Sequence, residues 1–255
     1  MEISRRGSRR RKLSDVIVQD VKRWIVVKGL KPGDRLPKER ELIEMYGCAK
    51  GTVREALKAL EVEGLVVMRT GPSGGAYVAE AGIDHASRAL RNYLHFQKLD
   101  GGQIYELRKI IEVEVAASVV GRLTEAHFEE LEANIGHCEA IGFTTATQRE
   151  LRIAELGFHN LLARVCPNPL LGFMVRFVSD LLRDLVDLKK TYQPERRQFG
   201  EDNNHYHREL LEAFRREDEA AVRTLMHEHM CNSEAHTTAL EGEVSDGFLL
   251  DFGDR

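Results

Sequence analysis

Three short apolar stripes of helical period, then two strand-like runs around a glycine-rich turn, all within 78 residues, leave the N-terminal third of this 255-residue chain few ways to fold. Leu13, Val16, Ile17, Val21, Trp24 and Ile25 recur every three to four residues, the spacing of one buried helical face. Ser14 is the expected cap, and the stripe stops at Gly29 before the turn cluster Lys31-Pro32-Gly33-Asp34, so a first helix is predicted over 14–28. Pro37 suits the first position of a second helix that ends at Gly47. A third opens at Ala49-Lys50-Gly51-Thr52, buries Val53, Leu57 and Leu60, and stops at Gly64. Leu65 to Arg69 and Ala76 to Val78 flank Thr70-Gly71-Pro72-Ser73-Gly74-Gly75 and read as a hairpin. Three helices, a short turn between the second and third, and a hairpin form the layout of a winged helix-turn-helix.

Charge agrees with that layout. Residues 1–78 hold 17 Lys and Arg against 10 Asp and Glu, whereas residues 79–255 hold 20 against 31, which points one end of the chain at a polyanion. A recognition helix reads the major groove from its first turn, so long polar or cationic side chains belong there, and Lys50, Thr52 and Arg54 occupy it. Arg40 would project from the second helix towards a phosphate or a guanine edge, and Gly71 with its neighbours would let the hairpin backbone approach the sugar-phosphate wall. The basic arm before residue 13, with Arg5, Arg6, Arg9, Arg10, Arg11 and Lys12, reads either as a minor-groove contact or as a solubilising tail.

The ordered segments Leu36 to Leu42, Gly47, Thr52 to Leu57, Leu60-Glu61 and Glu63 to Val66 resemble the DNA-binding domain of GntR-type bacterial transcription regulators over about residues 13–78. The resemblance implies double-stranded operator DNA as a partner. Where that family usually has Ser or Thr followed by Arg, this chain has Ala49 and Lys50, which removes a hydroxyl cap and replaces a forked guanidinium by a point charge.

From about residue 84 helical patterns succeed one another, at roughly 84–97, 102–120, 125–141, 146–165, 169–188, 201–216 and 219–240, with turn chemistry between them and no strand alternation. An all-α antiparallel bundle is expected over 88–238, with a linker at 80–87 and an acidic tail at 239–255. Charged residues interrupt every apolar run before the length of a membrane span, and no apolar stretch of signal-peptide type follows the basic N-terminus, so a cytoplasmic protein without membrane contact is expected. Four dispersed cysteines, with no Cys-x-x-Cys pair, read as reduced packing residues.

Among ten histidines a few form a pattern. Glu155 and His159 lie one turn apart on one helix, and His207 and His229 occur on successive antiparallel helices that break at Arg216-Glu217-Asp218, with Asp218 as a cap. Converging imidazoles and a carboxylate suit a divalent transition metal such as zinc or nickel. Spacing alone also fits ordinary packing histidines, or His205 and His227 as the ligands.

Residues 88–235 are similar to the all-helical FCD effector domain of the fatty-acid-regulator (FadR) subfamily of GntR proteins, through Leu107-Arg108 with Glu112 and Glu114, Phe158 to Leu162 followed by Asn168-Pro169-Leu170, His207-Arg208 with Ala213 and Asp218, and Ala221 to His229. The resemblance implies a metal held by Glu155, His159, His207 and His229, one ion per chain, with Glu155 standing where the family usually has Asp. It implies Arg108 as a cavity residue gripping an effector carboxylate, with a helix-surface ion pair to Glu112 as the alternative. The expected function is a homodimeric transcription regulator, a repressor, answering to a small carboxylate effector. A metal-dependent hydrolase built on the helical domain is the other reading, although neither a His-Glu-x-x-His nor a Glu-x-x-His pair is present. Non-specific DNA binding is a third, which the acidic two thirds disfavours.

Overall fold

The computed structural model describes residues 12–71, 73–80, 82–97, 99–141, 147–189 and 197–238. The expected basic arm and acidic tail, and the breaks at 142–144 and 192–194, lie outside these. The chain divides into two compact units, 1–86 and 87–255.

The N-terminal unit contains α1 (Leu13–Val27), α2 (Glu39–Tyr46), α3 (Lys50–Val62), β1 (Val66–Arg69) and β2 (Gly75–Val78). The apolar stripes meet in one core, with Ile17, Val21, Leu42, Val53 and Leu60 completely buried and Val66, Ala76 and Val78 closing it from the hairpin. The strands pair antiparallel from Val66 opposite Val78 to Arg69 opposite Gly75. Arg35 bridges to Tyr77 and donates through Nη2 to the Gly74 carbonyl at 2.6 Å, while Tyr77 donates to the Ser73 carbonyl, so the wing tip is braced from both sides. Gly74 is required there, because a Cβ would stand 2.8 Å from the carbonyl oxygens of Arg69 and Gly71.

Two local expectations are corrected. Leu13 opens α1 behind Lys12, and Ser14 sits buried in the first turn without capping. The second helix begins at Glu39, two residues after Pro37, because the Glu41 carboxylate accepts the Lys38 backbone N–H at 2.7 Å and fixes the start. Gly47 ends α2 in the left-handed conformation at φ 56°, as a C-terminal glycine does.

The second unit carries α4 (Ile83–His95), α5 (Gly101–Ser118), α6 (Glu125–Ile141), α7 (Gln148–Val165), α8 (Pro169–Lys189), α9 (Arg197–Arg215) and α10 (Glu219–Thr238). The linker expected at 80–87 is largely helix, since α4 starts at Ile83, and the division between the units falls inside it. Its later half belongs to the bundle, where Leu90 and Leu94 pack on the core and Arg91 pairs with buried Asp184 of α8. Caps set the other starts. Asp100 accepts the Gln103 N–H at 2.8 Å to open α5, and Asp218 accepts the Ala221 N–H at 3.0 Å to open α10. α5 packs along α10, α7 along α8, and α9 against α10. No helix among the described residues is long and apolar enough to cross a membrane. The four cysteines are all unpaired with one another.

Leu60 is completely buried in the first core, so Leu60→Ala should cost about 2–5 kcal/mol there. Trp24, the single tryptophan, packs on that core, so its fluorescence should unfold at lower urea in the variant while the bundle's helical circular dichroism holds.

Candidate metal centre and DNA-reading surface

In the N-terminal unit the expected readers lie at the surface. Lys50 opens α3 and is exposed, Arg54 is exposed one turn later and Thr52 is half-buried between them. Ala49 occupies the cap position of α3 and makes no side-chain cap bond. Arg54 donates through Nε to Glu39 of α2 at 2.7 Å, and Arg40 pairs with Glu44 on its own helix at 3.4 Å. Gly71 is exposed at the hairpin tip with φ 94°. These positions share the turn between α2 and α3 and the wing, but each forked cation is paired with a carboxylate.

The bundle brings three of the four expected metal ligands together. His159 of α7, His207 of α9 and His229 of α10 are all buried, and one donor atom from each lies within 4.8 Å of the others. His207 Nε2 stands 3.4 Å and His229 Nε2 3.3 Å from His159 Nε2. The cluster is walled by Phe158, whose ring stacks on His207 at 4.1 Å.

A carboxylate fixes the first imidazole. Glu112 of α5, 1% exposed, accepts His159 Nδ1 at 3.0 Å through Oε2, and through Oε1 it accepts Arg108 Nε at 3.1 Å and Nη2 at 2.9 Å. With Nδ1 directed at a carboxylate, His159 turns Nε2 to the cluster. Burial alone would raise the Glu112 carboxyl, but His159 and Arg108 outweigh it and hold it at about 2. Burial, with His159 next, lowers His207 well below the usual histidine value, and burial, with His207 and His159, does the same for His229. Both rings are therefore neutral near pH 7, as ligands must be.

Glu155 lies one turn before His159 but outside that donor group among the described residues. Its Oε2 is 3.0 Å from Arg152 Nη1, while Oε1 is buried without a hydrogen-bond partner. Burial pushes its carboxyl up to about 7, against the opposing Arg152 charge and an Asn203 hydrogen bond. Arg108 is inside the bundle, and the edge expected to grip an effector is filled by Glu112, so the ion pair first read as a surface feature is a buried one. His205 and His227 stand outside the cluster. Two residues carry more of the site than spacing suggested. Glu112 figured only as a partner of Arg108, and Arg152 was not singled out at all.

Acid should destabilise the metal-free bundle through this cluster. His207 and His229 have folded pKa values below the ordinary 6.5, so their contribution is complete above that pH and is lost as pH falls through the folded values. Glu155 acts in the opposite sense, its raised value adding stability below the ordinary 4.5 that is lost as pH rises through about 7. Two imidazoles against one carboxylate give a net loss on acidification between those limits. Urea midpoints of chelator-treated protein should fall from about pH 6.5 towards 4.5. The double substitution His207→Gln with His229→Gln should flatten that fall, and Glu155→Gln should steepen it.

Comparison with known proteins agrees with both units. Residues 13–78 match the family described as bacterial regulatory proteins, gntR family, and residues 103–232 match the FCD domain. The HTH-type transcriptional regulator LutR of Bacillus subtilis (strain 168) is 35% identical over 62% of this chain and 69% of its own length. The HTH-type transcriptional repressor NanR of Enterobacter sp. (strain 638) is 26% identical over 95% of this chain and 92% of its own. Among solved structures, Streptococcus agalactiae GntR superposes with a TM-score of 0.58 at 22% identity, over 88% of this chain and 99% of that one, which is a likeness of fold. The relatives are named as regulators, and nothing among them favours the hydrolase reading. The chain belongs to the GntR family of DNA-binding bacterial transcription regulators, with a C-terminal FCD domain.

Proposed function

We propose that this regulator is a homodimeric repressor that holds a divalent metal in its helical domain and leaves its operator when a small organic acid binds there. The observation that carries the reading is the convergence of three buried Nε2 atoms, one of them fixed by Glu112. Separations of 3.3 and 3.4 Å fit the edge of a tetrahedron whose centre lies roughly 2.0–2.1 Å from each corner, the zinc–imidazole length. His159, His207 and His229 would hold the ion, and the partnerless Oε1 of Glu155, on the same face of α7, is the fourth protein donor in this reading. A bound ion supplies a Lewis-acid seat for a carboxylate. Arg108 serves by holding Glu112 and by adding positive charge to the cavity.

Lys50, Thr52 and Arg54 read base edges in the major groove, Arg40 meets the backbone or a guanine, and Gly71 lets the wing backbone approach the sugar-phosphate wall. Two such heads related by a two-fold axis would read paired half-sites. Repression is favoured by the relatives named NanR, which are called repressors. The acid acts by binding one arrangement of the dimer better than the other, a coupling on the order of 1–3 kcal/mol.

Arg54→Ala should cost about 1–3 kcal/mol of operator affinity in a mobility-shift titration, with metal content and dimer mass unchanged. Undiminished binding would remove Arg54 from the reading surface. His207→Ala should lower metal per chain in elemental analysis and blunt the response to acid, while DNA binding without acid holds. Equal metal in variant and wild type would sink the ligand set, and a monomer mass in solution would sink the two-headed reading.

A further inference from the structure

Seven residues before His159, on the same face of α7, stands Arg152. It is 7% exposed, and its guanidinium carbon lies 4.2 Å from the Phe199 ring of α9. Nη1 makes the ion pair with Glu155, but among the described residues neither Nε nor Nη2 meets an acceptor. Arg108 is the contrast, since its equivalent edge is filled by Glu112. A buried guanidinium with its fork open and its plane fixed on an aromatic face is built to receive an acid group.

The side chains around it form three levels along α7, α9 and α10. His159, His207 and His229 make the first. One turn away Glu155 hydrogen-bonds Asn203, which accepts from Ser233 at 3.4 Å. A further turn away, Arg152 lies over Phe199, whose other contact is the stacked ring of His236 at 4.8 Å. A polar column thus joins the imidazole cluster to the open fork, with Glu155 between them and 3.0 Å from Arg152 Nη1.

We propose that Arg152 anchors a second acid group of the effector, so that the molecule sensed is a dianion with one acid group at the histidine cluster and the other at Arg152. The proposal rests on the metal reading above. Charge favours it. Arg108 and Arg152 balance Glu112 and Glu155, and a divalent ion adds two positive charges that a dianion neutralises and a monoanion leaves half uncompensated. Spacing sets the class. Arg152 Nη1 already reaches the Glu155 carboxylate at 3.0 Å, and Glu155 Oε1 is a metal donor in this reading, so the fork lies about one carboxylate from the ion and a diacid of few carbons joins them. A hydroxyl beside one carboxylate would add a second donor for the ion.

Isothermal titration calorimetry on metal-loaded full-length protein tests this with malate and 2-hydroxyglutarate against the monoacids of equal carbon number, 2-hydroxybutyrate and 2-hydroxypentanoate. Wild type should bind each diacid about tenfold or more tightly than its monoacid, the discrimination of one charge-assisted hydrogen-bond pair. Arg152→Gln should erase that preference, the ratio of diacid to monoacid affinity falling to about one. Arg152→Lys, which keeps the charge and loses the fork, should retain part of it and carries the test if the glutamine variant does not fold. Equal affinity for diacid and monoacid in wild type, including no binding of either, overturns the proposal, as does a full preference in both variants. Metal per chain, measured on the same samples, separates the failures. A chain that takes up no metal overturns the metal reading, whereas a metal-loaded chain indifferent to the second acid overturns this one.

Discussion

The buried carboxylate of Glu112 is the constraint on which the bundle interior depends. It joins a guanidinium on its own helix to an imidazole on another, and it satisfies Arg108 and His159 at once. Removing it would strand a buried cation and release the ring whose orientation sets the cluster, so the cost would exceed that of one lost hydrogen bond. Because α5 also packs along α10, which carries His229, the same helix supplies the clamp and supports the third imidazole. The site is therefore held by rigid elements rather than by loops.

An interior of this kind is affordable only because a large apolar core surrounds it. Phe158, Leu161, Leu162, Leu210, Phe214 and Met226, on the helices that carry the histidines, are buried in one cluster with Phe177 and Leu181 of α8. The helical period alternates the two roles on α7, where Phe158 and Leu162 pack while Arg152, Glu155 and His159 share another stripe. Packing fixes the backbones, and the fixed backbones keep neutral imidazoles close together.

Most of the fold was legible because each helix announces itself by period and by punctuation. Gly47 and Asp218 mark ends that the structure places where the sequence puts them. The errors have local causes. Proline suits the extended residue before a helix as well as its first turn, so Pro37 misplaces the start of α2, whereas the helix expected from about 84 opens one residue earlier, at Ile83. The histidines were legible as a set because successive antiparallel helices bring their positions level. What sequence did not reveal was burial. Arg108 with Glu112 and Arg152 with Glu155 have the spacing of ordinary surface pairs, and only packing against α7, α9 and α10 turns them into interior groups. The bond from Glu112 to His159 joins residues 47 apart, beyond any local pattern.

If Arg40 and Arg54 read DNA as proposed, the carboxylates beside them bear on how the regulator searches. Arg54 with Glu39 and Arg40 with Glu44 are exposed ion pairs already formed before any nucleic acid arrives. A phosphate must compete with each of these internal anions, so indiscriminate contact with a duplex yields little, and few counterions are expelled by it. Only a sequence that offers base-edge acceptors in the right places compensates for parting Arg54 from Glu39. In that reading the acidic residues beside these cations would act as a filter that shortens stays at the wrong sites and leaves the protein free to move on.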